Sequence, residues 1–254
     1  MLKPFLAAAA LTAALALAVP ALAQEEAPSP PHQAWSFEGI FGTYDLAAAQ
    51  RGFQIYKEVC SNCHAVKHLY YRDTEDLGYT EDQIKAFAAQ FKVTDGPNDE
   101  GQMFERPARP SDRFVAPFPN DQAARVANNG ALPPDLSLIV KAREGGPDYV
   151  YGILTGFVNP PAGVKVPDGM YYNEYFPGHF IKMPPPLSDG QVTYTDGTKA
   201  TVPQMAHDVV TFLSWAAEPN LDQRHQMGLK VFLFLIVAAG LFYAAKRKIW
   251  ARVH

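Results

Sequence analysis

The chain has 254 residues, of which 48% are hydrophobic and 19% are charged. This is enough apolar material for a sizeable core, and it excludes disorder along the whole chain. Its 22 prolines and 18 glycines follow no fixed period, so a collagen-like chain and a repeat array are excluded and a loop-rich domain is expected. The two cysteines can form only one pair, which excludes a scaffold built on several disulfides.

The net charge of -4 combines two opposite regions. Residues 24–229 hold all 26 acidic residues but only 16 of the 22 basic ones, which gives -10, whereas residues 230–254 carry +5. Acids are densest between Tyr70 and Glu105, where nine acids accompany three basic residues. Such a field steers basic partners and repels nucleic acid, so no nucleic-acid partner is expected. The alternative is a solvated face that only aids solubility.

The first 23 residues predict a secretory signal peptide. Lys3 gives a positive start, an apolar run follows, and Ala21-Leu22-Ala23 forms an A-x-A cleavage site. We therefore expect export of a mature chain that begins at Gln24. An uncleaved membrane anchor is the alternative.

Between the two ends, the sequence predicts one mainly helical domain with long loops. Pro219 predicts a bend before the C-terminal segment, and one small β-hairpin is predicted over Gln191–Lys199, around Asp196-Gly197. Loops are predicted over 94–120 and 159–169. Helices, supported by apolar spacing or by a proline near the first turn, are predicted over 45–59, 80–91, 134–143, 147–157 and 203–217.

The segment Met227–Ala245 predicts a transmembrane helix. It is apolar apart from Lys230 and is close to the about 20 residues that a spanning helix needs; a buried core helix is the alternative. Four basic residues follow without any acid, as is typical of a cytoplasmic flank: Lys246, Arg247, Lys248 and Arg252. The predicted topology in the inner (cytoplasmic) membrane is a periplasmic domain over 24–224, one transmembrane helix over 225–245 and a cytoplasmic tail over 246–254.

Cys60-Ser61-Asn62-Cys63-His64 is a C-x-x-C-H motif, the attachment signature of c-type haem. Cysteines at positions i and i+3 of a helix lie on one face, so both thiols can form thioethers with one porphyrin. His64 then places its imidazole beneath the iron as the proximal ligand. The motif predicts one covalently attached haem c.

Two other interpretations of the cysteine pair are weaker. A redox disulfide of the thioredoxin type is expected within a βαβ pattern, whereas the flanking sequence looks helical. A zinc site needs four ligands, and the motif offers two thiols and one imidazole with no second C-x-x-C.

A second axial ligand must approach from the opposite face of the porphyrin. His68 shares a helical face with His64 and is a poor candidate, and Met205 lies on an apolar stripe that favours core packing. Met183 is followed by three prolines that hold the backbone extended. A thioether favours Fe(II), so a His64/Met183 pair predicts a raised potential and electron transfer rather than catalysis at iron. The residues left open are Met103, Met170, His179 and His207.

With these motifs in place, the chain resembles the cytochrome c1 family, the c-type haem subunit of the cytochrome bc1 complex (ubiquinol:cytochrome c oxidoreductase), and looks like an alphaproteobacterial member. The similarity covers essentially the whole mature chain. It is carried by CSNCHAVKHLYYRD, ANNGALPPDLSLIVKAR, DYVYGILTGF, MYYNEYFPGHFIKMPPPL and the C-terminal anchor.

The resemblance implies a cytochrome c type helical fold around the haem. It implies thioethers at Cys60 and Cys63, His64 as proximal ligand and Met183 as distal ligand. It also suggests that Arg125 pairs with a haem propionate, since a guanidinium can fork onto a carboxylate; the alternative is a surface arginine at a helix end.

The resemblance further implies an electron-carrying subunit with no catalytic residues of its own. Its partners are cytochrome b, the Rieske iron-sulfur protein as donor, a soluble or membrane-attached c-type cytochrome as acceptor, and membrane lipid. Two alternatives are a free-standing membrane-anchored c-type cytochrome that feeds an oxidase and a haem-based sensor with an open distal site. Lys182 departs from the small residue that many members have before the methionine, and its charge can shift the potential.

Overall fold

A computed structural model describes residues 27–252. The predicted signal peptide and its cleavage site lie outside the described residues. Within the described range, the chain forms six α-helices and two 3₁₀ helices. The α-helices are α1 (Leu46–Glu58), α2 (Glu81–Ala88), α3 (Asp121–Ala127), α4 (Gly146–Thr155), α5 (Val202–Ala217) and α6 (Leu221–Trp250), and the 3₁₀ helices are Cys60–Asn62 and Tyr71–Leu77.

Two small antiparallel sheets complete the regular structure of residues 27–252. Strand β1 (Lys92–Asp95) pairs with β2 (Phe104–Pro107), and β3 (Tyr171–Tyr172) pairs with β4 (Phe180–Ile181). The predicted class, a mainly helical protein with long loops and a C-terminal apolar helix, is confirmed, with two small sheets where one hairpin was expected.

The centre of the domain is the packing of α1 against α5. Gly52 allows close contact, since a Cβ there would lie 2.0 Å from the Asp208 carbonyl oxygen. Beside it, the Arg51 guanidinium donates to both oxygens of the fully buried Asp208 carboxylate, at 2.8 and 2.9 Å. Phe53 packs on Phe212 with ring centroids 5.5 Å apart. These contacts fix the end of α1, which is where the cysteine motif begins.

The predicted helix over 134–143 is wrong. This segment forms consecutive turns, and its backbone donors serve other partners: Leu136 N donates to Ala65 O at 2.8 Å, and Ser137 N donates to the Asp135 carboxylate at 2.9 Å. The apolar spacing that suggested a helix instead buries Leu136, Ile139 and Val140 in the core.

The hairpin predicted over 191–199 is also wrong. A turn exists one residue earlier than expected, at Thr195-Asp196, closed by Gly197 N donating to Tyr194 O at 3.4 Å. Gly197 has a positive φ of 77°, but the flanks of the turn form no ladder. Val192 and Tyr194 are buried against the core instead. A hairpin forms at β1–β2, whose strands fall largely inside the loop predicted over 94–120.

The helix α6 is 30 residues long and apolar enough to cross a membrane, and within residues 27–252 it is the one helix that passes this test. At 1.5 Å per residue it measures about 45 Å, so it extends beyond the predicted span at both ends. The predicted break at Pro219 is confirmed, because α5 ends at Ala217 and α6 begins at Leu221.

Candidate haem-binding site

The cysteine motif follows α1 directly. The helix starts at an N-cap formed by Asp45, whose carboxylate accepts from Ala48 N at 3.1 Å, and it ends at Glu58. A 3₁₀ turn then places Cys63 N and His64 N on the same acceptor, Cys60 O, at 3.1 and 2.9 Å. Both cysteines are free thiols, Cys60 half-buried and Cys63 exposed. The five residues of the motif therefore form one closed turn.

The imidazole of His64 is held in a defined orientation. Its Nδ1 lies 2.8 Å from Pro134 O. A carbonyl only accepts, so Nδ1 carries the proton and Nε2 has a free lone pair. Burial lowers the pKa of His64, although the hydrogen bond to Pro134 opposes the shift. The neutral tautomer with a free Nε2 is the form that binds a metal.

The backbone around His64 is tied to the segment 134–137. Lys67 N donates to the Asp135 carboxylate at 3.0 Å, and His68 N donates to Ser137 Oγ at 3.1 Å. From the α1 side, Tyr56 Oη donates to His64 O at 3.2 Å. The segment 134–143, wrongly predicted as a helix, thus supplies the residues that position the histidine. The two prolines and the aspartate at its start were the sequence feature that could have indicated this role.

The state of the thiols argues against a thioredoxin-like disulfide. Burial raises the pKa of Cys60 to about 12, with a smaller contribution from Cys63. A redox-active C-x-x-C needs the opposite shift, because the thiolate is the reactive form. In the described part of the chain, both sheets are antiparallel pairs and none forms the βαβ unit that this interpretation requires.

Met183 lies on the segment that follows β4. It is half-buried at a bend of the chain, which continues as an irregular stretch through its three prolines. The preceding side chain anchors this stretch: Lys182 Nζ donates to Asn129 O at 3.2 Å. Asn129 adopts a left-handed φ of 54° in the turn after α3, where Gly130 N returns to Arg125 O at 2.7 Å.

The segment 128–137 connects the two candidate ligand regions. One end contacts Lys182, next to Met183, and the other end accepts from His64. Beside the methionine segment lies a hollow of about 680 Å³. Its lining is mainly apolar and includes Met170, Phe157, Val158, Tyr171, Tyr172 and Pro185.

These residues fit a c-type haem. The donor set comprises two unbridged thiols on one turn, an imidazole with a free Nε2 and a thioether on an anchored segment. The hollow is lined by other residues than these four, of which Pro185 is the one nearest to Met183 in sequence. The ligand types are those of a His/Met cytochrome. In residues 27–252, no group of three or more His, Cys, Asp or Glu side chains is arranged to hold a metal ion.

Arg125 is exposed on the last turn of α3, where its Nη1 lies 3.4 Å from Gly130 O. This contact is the one expected of a surface arginine at a helix end, which was the alternative to a propionate partner. The propionate role stays a prediction.

The other methionines and histidines lie in different surroundings. Met205 is fully buried in the core, as predicted, and Met103 is 61% exposed next to β2. His207, one of the residues left open as a ligand, is half-buried and stacks on Trp35 with ring centroids 4.8 Å apart. His179 stacks on Tyr172 at 5.2 Å. Three of these side chains therefore pack against other residues and one, Met103, is exposed. Met170 lines the hollow.

Part of the acidic stretch is structural. The Asp73 carboxylate accepts from Tyr70 N at 2.7 Å, and Arg106 pairs with Asp95 and Asp112, which lowers the pKa of both carboxyls. Other acids, such as Glu75 and Asp76, are exposed. These exposed carboxylates are the ones available to a basic partner.

Comparison with known proteins gives a consistent result. The model of the cytochrome C1 family matches residues 35–253. A protein named cytochrome c1 from Rhodospirillum rubrum is 49% identical, and the match covers 94% of each chain. A protein named "cytochrome c1, heme protein, mitochondrial" from Saccharomyces cerevisiae is 47% identical, over 88% of this chain and 72% of the yeast protein.

One relative is much longer than this chain. A protein named cytochrome b/c1 from Bradyrhizobium diazoefficiens is 52% identical over 97% of this chain. This chain spans 40% of the length of that protein. The similarity therefore concerns one part of a longer polypeptide in that organism.

Proposed function

The chain belongs to the cytochrome c1 family, and we propose that it is the electron-transfer haem subunit of a ubiquinol:cytochrome c oxidoreductase. The observation that carries the proposal is the closed turn Cys60–His64, in which the hydrogen bond to Pro134 leaves the His64 Nε2 free for iron. The family match supports the proposal for the whole domain and not only for this turn, since it begins at Trp35 and continues beyond α6.

We propose that Cys60 and Cys63 attach one haem c through thioethers, and that His64 and Met183 are its axial ligands. The haem supplies a site that takes up and releases one electron. With His64 and Met183 both bound, the iron would have no open position for oxygen or other small ligands, so the chain would relay electrons without a catalytic residue of its own.

The chain's own residues contribute rigidity and ligand chemistry. Pro134 and Tyr56 fix the tautomer of His64 and the position of its backbone. When the second ring nitrogen of a histidine donates a hydrogen bond, the ring orientation and tautomer are fixed and the other nitrogen becomes a stronger metal ligand. Met183 offers a weak, soft donor that favours the reduced state of iron and raises the potential.

The partners proposed are cytochrome b, the Rieske iron-sulfur protein as donor and a soluble or membrane-attached c-type cytochrome as acceptor. The acidic body supports a basic acceptor, because opposite charge accelerates encounter. For the location, we propose the inner membrane, with the haem domain (24–224) in the periplasm, one span (225–245) and a cytoplasmic tail (246–254) after removal of residues 1–23. The basic residues after Ala245 support this orientation.

The decisive experiment is purification from washed membranes with spectroscopy and intact mass. We expect one haem per chain that survives denaturation and acid-acetone extraction, a reduced-minus-oxidised c-type spectrum, and co-purification with cytochrome b and quinol-oxidising activity. Loss of all colour on extraction would end the proposal. A covalent haem without cytochrome b would point instead to a free-standing anchored cytochrome.

Carbon monoxide separates electron transfer from sensing. The reduced wild type is expected not to bind carbon monoxide at neutral pH, because both axial positions are filled. Binding is expected to appear in Met183→Ala, which opens one position. Binding by the wild type would favour a sensor.

A further inference from the structure

A tight turn before α1 carries two apolar side chains into solvent. Thr43 N donates to Ser36 O at 3.0 Å, and Gly42 N donates to Gly39 O at 3.3 Å. The tip between these pairs is Ile40-Phe41, and the two residues are 75% and 72% exposed. Large apolar side chains this exposed, side by side, are a common mark of a binding surface.

The tight geometry of this turn requires its glycines. Gly39 has a φ of 76°, a conformation that side chains other than glycine rarely adopt. A Cβ on Gly42 would lie 2.3 Å from Glu38 O, so the backbone passes too close for any larger residue. The two glycines thus allow a sharp turn whose tip lies outside the core.

Two hydrogen bonds fix this turn against the start of α6. Tyr44 N donates to the Asp222 carboxylate at 3.1 Å, and His225 Nδ1 lies 2.7 Å from Gly42 O. The three residues from Asp222 to His225 advance about 4.5 Å along the helix. From Tyr44 back to Gly42, the chain therefore runs along α6 toward its apolar part. Phe41 and Ile40 are the next residues of the chain in that direction.

The level of this contact matches a membrane interface. His225 precedes Met227, the first residue of the apolar run, by about 3 Å along the helix axis. The polar layer on each side of a bilayer is roughly 5–8 Å thick, given a core of about 30 Å within a total of about 40–45 Å. A tip that continues from His225 toward the apolar run falls in this layer.

We infer that Ile40 and Phe41 insert into the outer interface of the same bilayer that α6 spans, as a second membrane contact of the haem domain. The inference rests on the proposed membrane anchor. The partner is lipid, because the turn that carries these two side chains is hydrogen-bonded, through Tyr44 and Gly42, to the start of the apolar helix. Between residues 4 and 50 the sequence contains no Lys or Arg, so the contact is apolar and needs no anionic lipid.

Such a contact would have a structural consequence for electron transfer. The bonds to Asp222 and His225 hold the domain against α6, but a single membrane helix leaves the helix and the domain free to tilt together in the bilayer. A second attachment beside the helix axis removes this freedom. The haem face would then keep a constant height and angle above the membrane.

The test is a dye attached to the full haem-loaded chain. Phe41→Cys is labelled with an environment-sensitive maleimide dye, and Ile40→Cys provides a second site. Met103→Cys is the matched control, because Met103 is also an exposed apolar side chain but lies next to β2. Each variant, with the subunits that co-purify, is reconstituted into vesicles of phosphatidylcholine alone or with phosphatidylglycerol. Quenching is measured with aqueous iodide and with nitroxide-bearing lipid.

The inference predicts that labels at positions 40 and 41 emit at shorter wavelength, resist iodide and are quenched by the nitroxide lipid equally in both vesicle types. The Met103→Cys label should show the opposite pattern. Quenching by iodide at position 41 would overturn the inference, and protection from both quenchers would do so as well, since a protein would then cover the tip. Extraction of the whole chain by alkaline carbonate would reject the anchor itself, whereas retention with an iodide-accessible tip would reject only this inference.

Discussion

The two proposed ligand segments are held in different ways. Around His64, the imidazole and the adjacent backbone make hydrogen bonds to Pro134, Asp135 and Ser137 and receive one from Tyr56. Around Met183, the prolines restrict the backbone and one long side chain, Lys182, reaches across to Asn129.

This difference shows how one site can hold the histidine in a fixed position and still allow the redox potential to be adjusted. A directed set of hydrogen bonds determines the tautomer and the position of the histidine, so little about that side can change without loss of the fold. A proline-stiffened segment holds a weak ligand through backbone restriction, and its side chains remain free to adjust the potential. The proximal side should therefore control assembly, and the distal side should control redox properties.

The largest expected effect is loss of covalent haem on the proximal side. Cys60→Ser and Cys63→Ser each remove one thioether, so haem staining of the denatured band should weaken strongly in each and vanish in the double variant. Ser61→Ala is the matched control, because it changes the same turn but keeps both thiols. Full haem content in the double variant would show that the motif does not attach the cofactor.

The next effect is on the potential, from the distal side. Met183→His replaces a thioether with a second imidazole, which favours Fe(III), so the midpoint should fall by a sizeable part of the ~0.8 V range that axial ligation covers. Met205→Leu is the control, since Met205 is a buried core residue and a volume-conserving change there is tolerated. Redox titration of both variants checks this. An unchanged midpoint in Met183→His would assign the distal position to another residue.

Sequence reasoning proposed the chemistry of the site and missed much of the structure around it. Cys60, Cys63 and His64 were proposed because covalent attachment requires one short local pattern, and their roles stay a prediction. The helices α1, α2, α4 and α5 followed from apolar spacing or from a proline near the first turn, and α6 from its length and apolar composition. These features are local, and a sequence displays local features directly.

The support of His64 depends on contacts across about seventy residues, which periodicity does not display. The stretch 134–143 has helical apolar spacing, yet its backbone donors bond to Ala65 and to the Asp135 side chain. Likewise, Asp196-Gly197 is a good hairpin signal, but burial of Val192 and Tyr194 against the core prevails over strand pairing. In both cases tertiary contacts prevailed over local preference.

A smaller effect is expected where the proximal support is weakened without touching a ligand. Asp135→Ala removes the carboxylate that accepts from Lys67 N and Ser137 N. The loss should lower the free energy of unfolding by about 2 kcal/mol, as for hydrogen bonds to a charged group. Urea unfolding of the haem-loaded chain measures it. Asp168→Ala is the control, because Asp168 is exposed and makes no side-chain hydrogen bond to residues 27–252. Equal stability of the two variants would contradict the role given to Asp135.

The smallest effect concerns the charge next to the distal methionine. Lys182→Gln removes a positive charge that favours the reduced haem, so the midpoint should fall, by far less than in Met183→His because the ammonium is exposed and screened. Lys182→Arg keeps the charge while altering the hydrogen bond to Asn129, so its midpoint should stay near that of the wild type. Redox titration at low and high salt separates the two causes: a charge effect shrinks with salt. A fall of equal size in both variants, unaffected by salt, would mean that Lys182 acts by positioning the methionine segment, and the distal side would then depend on directed bonds as the proximal side does.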